Sequence, residues 1–219
     1  MRESGLFFFP SFLPHSFWAV RCNGTRRVLT GPYPDRADRT NLAPISTSPV
    51  QTLYLPGNVS VREVFRSRFG DDLQVHERLF ALVNQGPLLV NYMGHGSIEV
   101  WRGSLLDTGD DGEFTNGTHL PLFVNMTCLN GYFQAPNADS LAKSLLNAKK
   151  GGALAVWASS GLTEPEGQTA INQELIRLLF DGESLTLGEA AVRAKAATND
   201  TDVRKTWFLF GDPATRLKY

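Results

Sequence analysis

The sequence has little of several features that would mark a specialised class of protein. Its 219 residues include only two cysteines, Cys22 and Cys128, so a disulfide framework is excluded. The 21 basic and 22 acidic residues nearly cancel, which leaves no basic field to hold nucleic acid or an anionic membrane. No apolar run approaches the ~18 residues of a membrane-spanning helix. What remains is an ordinary globular composition, in a chain long enough to bury one sizeable core.

The N-terminal quarter differs from the rest in composition and in its pattern of apolar residues. The first fifty residues hold six of the twelve prolines and no lysine, and residues 30–49 show neither helical nor strand periodicity. Residues 6–20 are apolar, but prolines interrupt them, and neither a positive start nor a good cleavage site for a signal peptide is present. We therefore predict an irregular leader over residues 1–55 and a folded α/β domain over residues 56–219.

Four short apolar runs predict buried strands. Each is nearly continuous in apolar residues, as strands covered on both faces are: 87–93, 120–126, 153–158 and 206–210. Helical patterns precede or separate them, at residues 71–84, 139–149, 167–180 and 187–197. This alternation predicts an α/β fold with a mostly parallel sheet, in which ligands sit beyond the carboxyl ends of the strands.

A histidine and a cysteine follow two successive predicted strands. His95 stands between two glycines after the first strand, and Cys128 follows the second. A thiolate is a strong nucleophile, and a nearby imidazole can take up and return its proton. The amides of Gly96 and Cys128 can then face a developing oxyanion. The alternative from the residues alone is a buried free cysteine and a hydrogen-bonded loop histidine.

The surrounding motifs resemble those of the gingipain family of cysteine peptidases, which belongs to the caspase-like group. They are NYMGHGS at 91–97, CLNGYF at 128–133 and FGDP at 210–213, and the resemblance runs from about residue 86 to the C-terminus. It implies a caspase-like three-layer α/β sandwich with Cys128 as nucleophile and His95 as general acid/base. It also implies an oxyanion hole at the Gly96 and Cys128 amides, with Gly94 beside them as a substrate-binding position.

The chain departs from this family upstream of the Gly-His-Gly element. The family has a further α/β portion there, and takes from it an acidic residue that orients the histidine. Asp35 and Asp38 lie at the approximate distance, but their segment does not look like the family, so we assign neither. We expect a catalytic domain truncated on its N-terminal side. The resemblance further implies a protein or peptide substrate and a secreted or cell-surface location, although no clear signal peptide is present.

Three further residues are predicted to bind substrate. Trp101 follows His95 closely and is expected to line the cleft, with an exposed edge segment as the alternative. Glu164 and Glu166 lie in the loop after the third strand, which in the family helps to hold the substrate's side chain. Their carboxylates can attract an arginine or lysine next to the scissile bond.

We predict no cofactor and assign no metal ligand. The resemblance allows structural calcium, but the acidic turn at 107–113 fails the calcium-loop pattern, because Gly109 holds its third position and Thr118 its twelfth. His76 and His119 fit no metal-ligand spacing. The sequence thus supports a cysteine endopeptidase. The alternative is a catalytically inactive or truncated caspase-like domain that acts as a binding module.

Overall fold

One mixed sheet flanked by helices makes up the described part of the chain. The computed structural model describes residues 16–21, 55–56 and 59–219. Within them, six strands and five helices follow in this order: β1 Ser16–Arg21, β2 Arg62–Glu63, α1 Asp72–Val83, β3 Pro87–Met93, β4 Leu122–Met126, α2 Leu141–Asn147, β5 Ala155–Ser159, α3 Pro165–Phe180, α4 Leu187–Ala194, α5 Thr201–Thr206 and β6 Trp207–Phe210. Short 3-10 turns lie at Arg66–Arg68, Arg102–Ser104, Thr108–Gly112 and Lys195–Ala197.

The sheet has the order β2-β1-β3-β4-β5-β6. The central strands β3, β4 and β5 run parallel to one another, and β1 and β6 flank them antiparallel. Every residue of β4 and β5 is buried, as their unbroken apolar sequences predict. The predicted strands are confirmed, with β3 matching its expected bounds.

Other elements pack on both faces of this sheet, which makes three layers. Two consecutive residues of β3 show this, because side chains alternate between faces along a strand. The Asn91 amide donates to Asn172 Oδ1 of α3 at 2.8 Å, on one face. Tyr92 stacks on Trp101 on the other face, with ring centroids 4.1 Å apart. The caspase-like three-layer sandwich is therefore the architecture of this domain.

The helices begin where local sequence supplies a cap. The Asp71 carboxylate accepts the Gln74 N–H at 2.9 Å and starts α1. The start of α2 differs slightly from the prediction: Ser140, not Asp139, caps it, and Asp139 instead forms an ion pair with Lys143. In α3, Pro165 occupies the first turn, where its missing N–H costs nothing.

The strand β6 runs antiparallel to β5, at one edge of the mostly parallel sheet that the sequence predicts. Three helices, α3, α4 and α5, separate β5 from β6, where a single crossover helix would have given a parallel strand. The strand β6 starts beside the end of β5, with Trp207 paired to Ser159. The Gly-Asp-Pro segment after β6 consequently lies at the opposite sheet edge, where Gly211 packs on Ala155.

A strand lies inside the segment for which the sequence predicts no regular structure. β1 pairs with β3 over its whole length, from Ser16 opposite Met93 to Arg21 opposite Pro87. Its aromatic and β-branched residues favour a strand, and the edge of β3 offers the partner. Most of the leader, including Asp35 and Asp38, lies outside the described residues.

Candidate active site

His95 and Cys128 occupy equivalent positions on neighbouring parallel strands. The last registered pair of β3 and β4 joins Met93 to Met126, and each candidate residue follows its strand's last position by two residues. The Gly94 N–H donates to the Met126 carbonyl at 3.1 Å, so the ladder continues past the registered pair. Neighbouring strands run about 4.8 Å apart. The two segments therefore leave the sheet side by side at the same edge.

Gly96 lies so close to the Cys128 strand that a side chain would not fit. A Cβ at this position would meet Thr127 Oγ1 at 2.7 Å and the Val100 carbonyl at 3.0 Å. Within the described residues, neither the Gly96 N–H nor the Cys128 N–H donates a hydrogen bond. The oxyanion hole at these two amides stays a prediction.

The Cys128 sulfur lies against the loop between β5 and α3. Its Sγ is 3.5 Å from both the amide nitrogen and the carbonyl oxygen of Thr163. The two loops are also joined through their backbones, since the Leu129 N–H donates to the Gly161 carbonyl at 3.2 Å. Glu164 directly follows Thr163 and is exposed, and Glu166 is exposed in the first turn of α3. Both carboxylates therefore lie on the segment that contacts the sulfur.

Leu129 holds a strained backbone conformation next to the candidate nucleophile. Its φ is +61°, in the left-handed region that costs a non-glycine residue about 1–2 kcal/mol. The surrounding hydrogen bonds enforce this turn, because the Asn130 N–H donates to the Cys128 carbonyl at 2.8 Å and the Tyr132 N–H to the Leu129 carbonyl at 2.9 Å. A strained conformation of this kind persists only where the surrounding structure holds it in place, and such residues are common at functional sites.

The environment of His95 favours a neutral imidazole. Burial, and next the positive charge of Arg102, hold the pKa of His95 below its usual value. Its carbonyl accepts the Tyr92 hydroxyl at 2.5 Å and the Arg102 N–H at 2.9 Å. Burial raises the pKa of Tyr92 far above its ordinary value, so this hydroxyl stays protonated and donates. The backbone at His95 is thus fixed by two hydrogen bonds to its carbonyl.

Asn130 is a residue that sequence reasoning did not single out. Its fully buried side chain accepts the Trp101 indole N–H at 2.8 Å and donates to the Ser97 and Val100 carbonyls. One amide therefore ties the loop after His95 to the loop after Cys128. The only signal in the sequence was its place two residues after Cys128, where an Asn-Gly pair reads as an ordinary turn.

Trp101 does not line an open cleft. Its side chain is 0% exposed, stacked on Tyr92 and hydrogen-bonded to Asn130. The expectation that Trp101 contacts substrate is therefore corrected: it supports the His95 loop from within the core. A tryptophan side chain can be fully buried when its single N–H donates a hydrogen bond, as it does here. Gly94 is partly exposed beside His95, and its substrate-binding role stays a prediction.

Comparison with known proteins identifies relatives of this arrangement. A family model described as Peptidase family C25 matches residues 31–218. Gingipain R2 of Porphyromonas gingivalis (strain ATCC 33277) is 32% identical over 149 residues, which span 62% of this chain and 20% of that protein. Gingipain R1 of the same species is also 32% identical over 149 residues, or 15% of its length. The chain thus spans a fifth or less of these relatives.

Solved structures agree with the sequence matches. The crystal structure of the Arg-specific cysteine proteinase gingipain R (RgpB) superposes with a TM-score of 0.63 at 26% identity. The match covers 77% of this chain and 40% of that one. The complex of the Porphyromonas gingivalis RgpB pro- and mature domains gives a TM-score of 0.64 at 25% identity, over 75% of this chain and 40% of that one.

Proposed function

Since the chain belongs to peptidase family C25, the gingipain family of cysteine peptidases, we propose that it hydrolyses peptide bonds through Cys128 and His95. One observation carries this proposal. The two residues end neighbouring parallel strands at equivalent positions, and Thr163 lies against the sulfur. In an α/β sheet, this edge is where ligands bind.

The mechanism follows from the groups at this edge. His95 takes the proton of the Cys128 thiol, and the sulfur attacks the substrate carbonyl. The carbonyl oxygen gains negative charge and faces the Gly96 and Cys128 N–H groups. Among the described residues, these two N–H groups donate no other hydrogen bond. His95 then protonates the leaving amine, which leaves a thioester on Cys128. Water, deprotonated by His95, hydrolyses the thioester and restores the thiol.

Substrates with a basic side chain before the scissile bond fit the acidic residues beside the sulfur. Glu164 and Glu166 are exposed on the loop and helix start that contact Cys128. A carboxylate pair can hold a guanidinium through charge-assisted hydrogen bonds. The matched gingipain R structure is described as Arg-specific, which agrees with this assignment. The substrate is thus a protein or peptide, and no cofactor is required.

The expected location is extracellular or at a cell surface, by resemblance to the gingipain family. Among the described residues, no helix is both long enough and apolar enough to cross a bilayer. The oligomeric state is independent of this mechanism, because both proposed catalytic residues come from one chain.

Covalent labelling tests the proposal. The wild type, Cys128→Ala and Cys22→Ser would be treated with peptidyl acyloxymethyl ketones that carry arginine, lysine, aspartate or leucine next to the warhead. Intact mass reports the adduct. We expect one adduct in the wild type and in Cys22→Ser and none in Cys128→Ala, fastest with arginine or lysine. A folded wild-type protein that takes no label would contradict the catalytic proposal and favour the alternative, a domain that acts through binding.

A further inference from the structure

Three side chains with metal-ligating atoms converge away from the proposed catalytic centre. They are His76 of α1 together with Asp110 and Glu113 of the loop between β3 and β4, with one nitrogen or oxygen atom of each lying within 4.8 Å of the others. His76 Nε2 is 3.6 Å from Glu113 Oε2. Donor atoms on a tetrahedral zinc ion, with bonds of about 2.0–2.1 Å, lie about 3.4 Å apart. The distance between His76 Nε2 and Glu113 Oε2 is thus close to the distance between two ligand atoms of a zinc ion.

The backbone around these side chains is fixed on both sides. Asn84, at the end of α1, donates to the Glu113 carbonyl at 3.1 Å and accepts the Thr115 N–H at 2.8 Å. The Asp110 carboxylate accepts the Asp107 N–H at 2.7 Å, which closes the turn Thr108–Gly112. The backbone that carries Asp110 and Glu113 is therefore held by hydrogen bonds that do not depend on a metal.

Aromatic side chains pack against the imidazole of His76. The Phe80 ring lies 4.7 Å from the His76 ring and 5.1 Å from the Phe114 ring, measured between centroids. This stack joins α1 to the loop that carries the two carboxylates. It also orients the imidazole, whose side chain is only 18% exposed.

The charges at this place are poorly balanced without a cation. Asp110 is 9% exposed. Asp107 and Glu113 bring two further carboxylates near Asp110, and a bound divalent cation would offset this local excess of negative charge.

We propose that His76, Asp110 and Glu113 bind a divalent cation of the zinc class, with solvent completing its coordination. The imidazole nitrogen selects zinc-class ions over calcium and magnesium, which prefer all-oxygen sites. Glu113 has a side chain 60% exposed, so it can turn toward the ion and leave one side open to water. The calcium-loop pattern does not detect this site, because it considers only residues within one turn of the chain. His76 lies in a helix 34 positions before Asp110 (110 − 76).

Zinc titration of the purified chain tests this site. The titrations use a Cys22→Ser/Cys128→Ala background, so that no thiol competes for the ion. His76→Phe keeps the ring packing, and Asp110→Asn and Glu113→Gln keep the size of each carboxylate. Asp111→Asn and His119→Gln serve as matched controls, because both residues are exposed, lie close to Glu113 in the sequence and belong to no ligand set. Calorimetry gives stoichiometry and affinity, and cobalt absorption reports the type of ligand.

We expect one zinc ion per chain. The affinity should be at least tenfold lower in each ligand variant and unchanged in both controls. Even the loss of a residue that only hydrogen-bonds a ligand lowers metal affinity by about 10–100-fold. Zinc should also raise the melting temperature of the background protein, because the unfolded chain has no such site. In a protein with both thiols present, cobalt should give visible bands without a thiolate charge-transfer band. Absent binding, binding unchanged by His76→Phe and Glu113→Gln, or a preference for calcium would overturn the proposal.

Discussion

The Asn130 side-chain oxygen accepts the indole N–H of Trp101 at 2.8 Å, and both side chains are fully buried. The two residues are 29 positions apart and belong to the loops that carry the two proposed catalytic residues. This hydrogen bond therefore links the His95 segment to the Cys128 segment inside the core.

Breaking that link should destabilise the fold and loosen the site. Trp101→Phe leaves the Asn130 oxygen buried without its donor, which costs about 1–3 kcal/mol. Asn130→Asp replaces a donating amide that bonds the Ser97 and Val100 carbonyls, so we expect a larger loss. Urea unfolding measures both. Asn137→Asp, at an exposed position of the same segment, is the control and should change stability by less than about 0.5 kcal/mol.

The charge on Arg102 should be visible in the titration of His95. Since that charge lowers the pKa of His95, Arg102→Gln should raise it, and Arg102→Lys should leave it nearly unchanged. NMR titration of the imidazole measures the pKa directly. The acid limb of the labelling rate should move to higher pH in Arg102→Gln, because the base is then protonated at a higher pH. A His95 pKa identical in the wild type and Arg102→Gln would refute the assigned cause.

The same shift predicts how the fold responds to acid. A histidine whose pKa is depressed in the folded state contributes stability above its unfolded pKa, which is about 6.5. That contribution is lost as the pH falls through the lower folded value. His95→Gln should therefore flatten the loss of stability over this range, measured by urea unfolding at several pH values. An equal slope in both proteins would show that other groups control the response.

Gly96 should tolerate no side chain. A Cβ there would lie 2.7 Å from Thr127 Oγ1, so Gly96→Ala should cost about 1–3 kcal/mol and slow labelling of Cys128. Adding Thr127→Ala removes the nearest atom and should restore part of the stability, although the Val100 carbonyl stays 3.0 Å away. Gly112→Ala is the matched control, since a Cβ there meets nothing within 4 Å. Equal effects at positions 96 and 112 would rule out the steric explanation.

The acidic residues beside the sulfur should set the preference for a basic side chain. Glu164→Gln with Glu166→Gln should lower the ratio of labelling rates for arginine over leucine probes by about tenfold or more, which corresponds to about 1.4 kcal/mol. Glu77→Gln, exposed on α1, should leave that ratio unchanged. If the double variant keeps the arginine preference, the pocket is built from other residues.

The parts of the fold that could be predicted are those encoded in contiguous sequence. The runs that became β3, β4 and β5 are unbroken apolar stretches, and parallel strands place the residues that follow them at one edge. This is why the neighbouring positions of His95 and Cys128 follow from the strand pattern. The direction of β6 could not be predicted, because it depends on how α3, α4 and α5 pack, which no local period reports.

Contacts between distant residues account for the rest. Trp101 looked like a cleft residue because it follows His95, but its burial depends on Asn130. The His76 cluster was missed for the same reason, since α1 and the turn Thr108–Gly112 meet only in the folded chain. The acidic partner of His95 stays a prediction without a residue, as both candidates fall outside the described residues.

The antiparallel course of β6 has a practical consequence for handling the protein. Tyr219 packs on Phe180 at the far end of α3, with ring centroids 5.1 Å apart. Because α3 begins beside the sulfur and has 16 residues, that far end lies about 24 Å from the cleft. A fluorophore placed on the Tyr219 side of the molecule would therefore lie far from the sulfur and from incoming substrate, so it would report on folding without obstructing the proposed site.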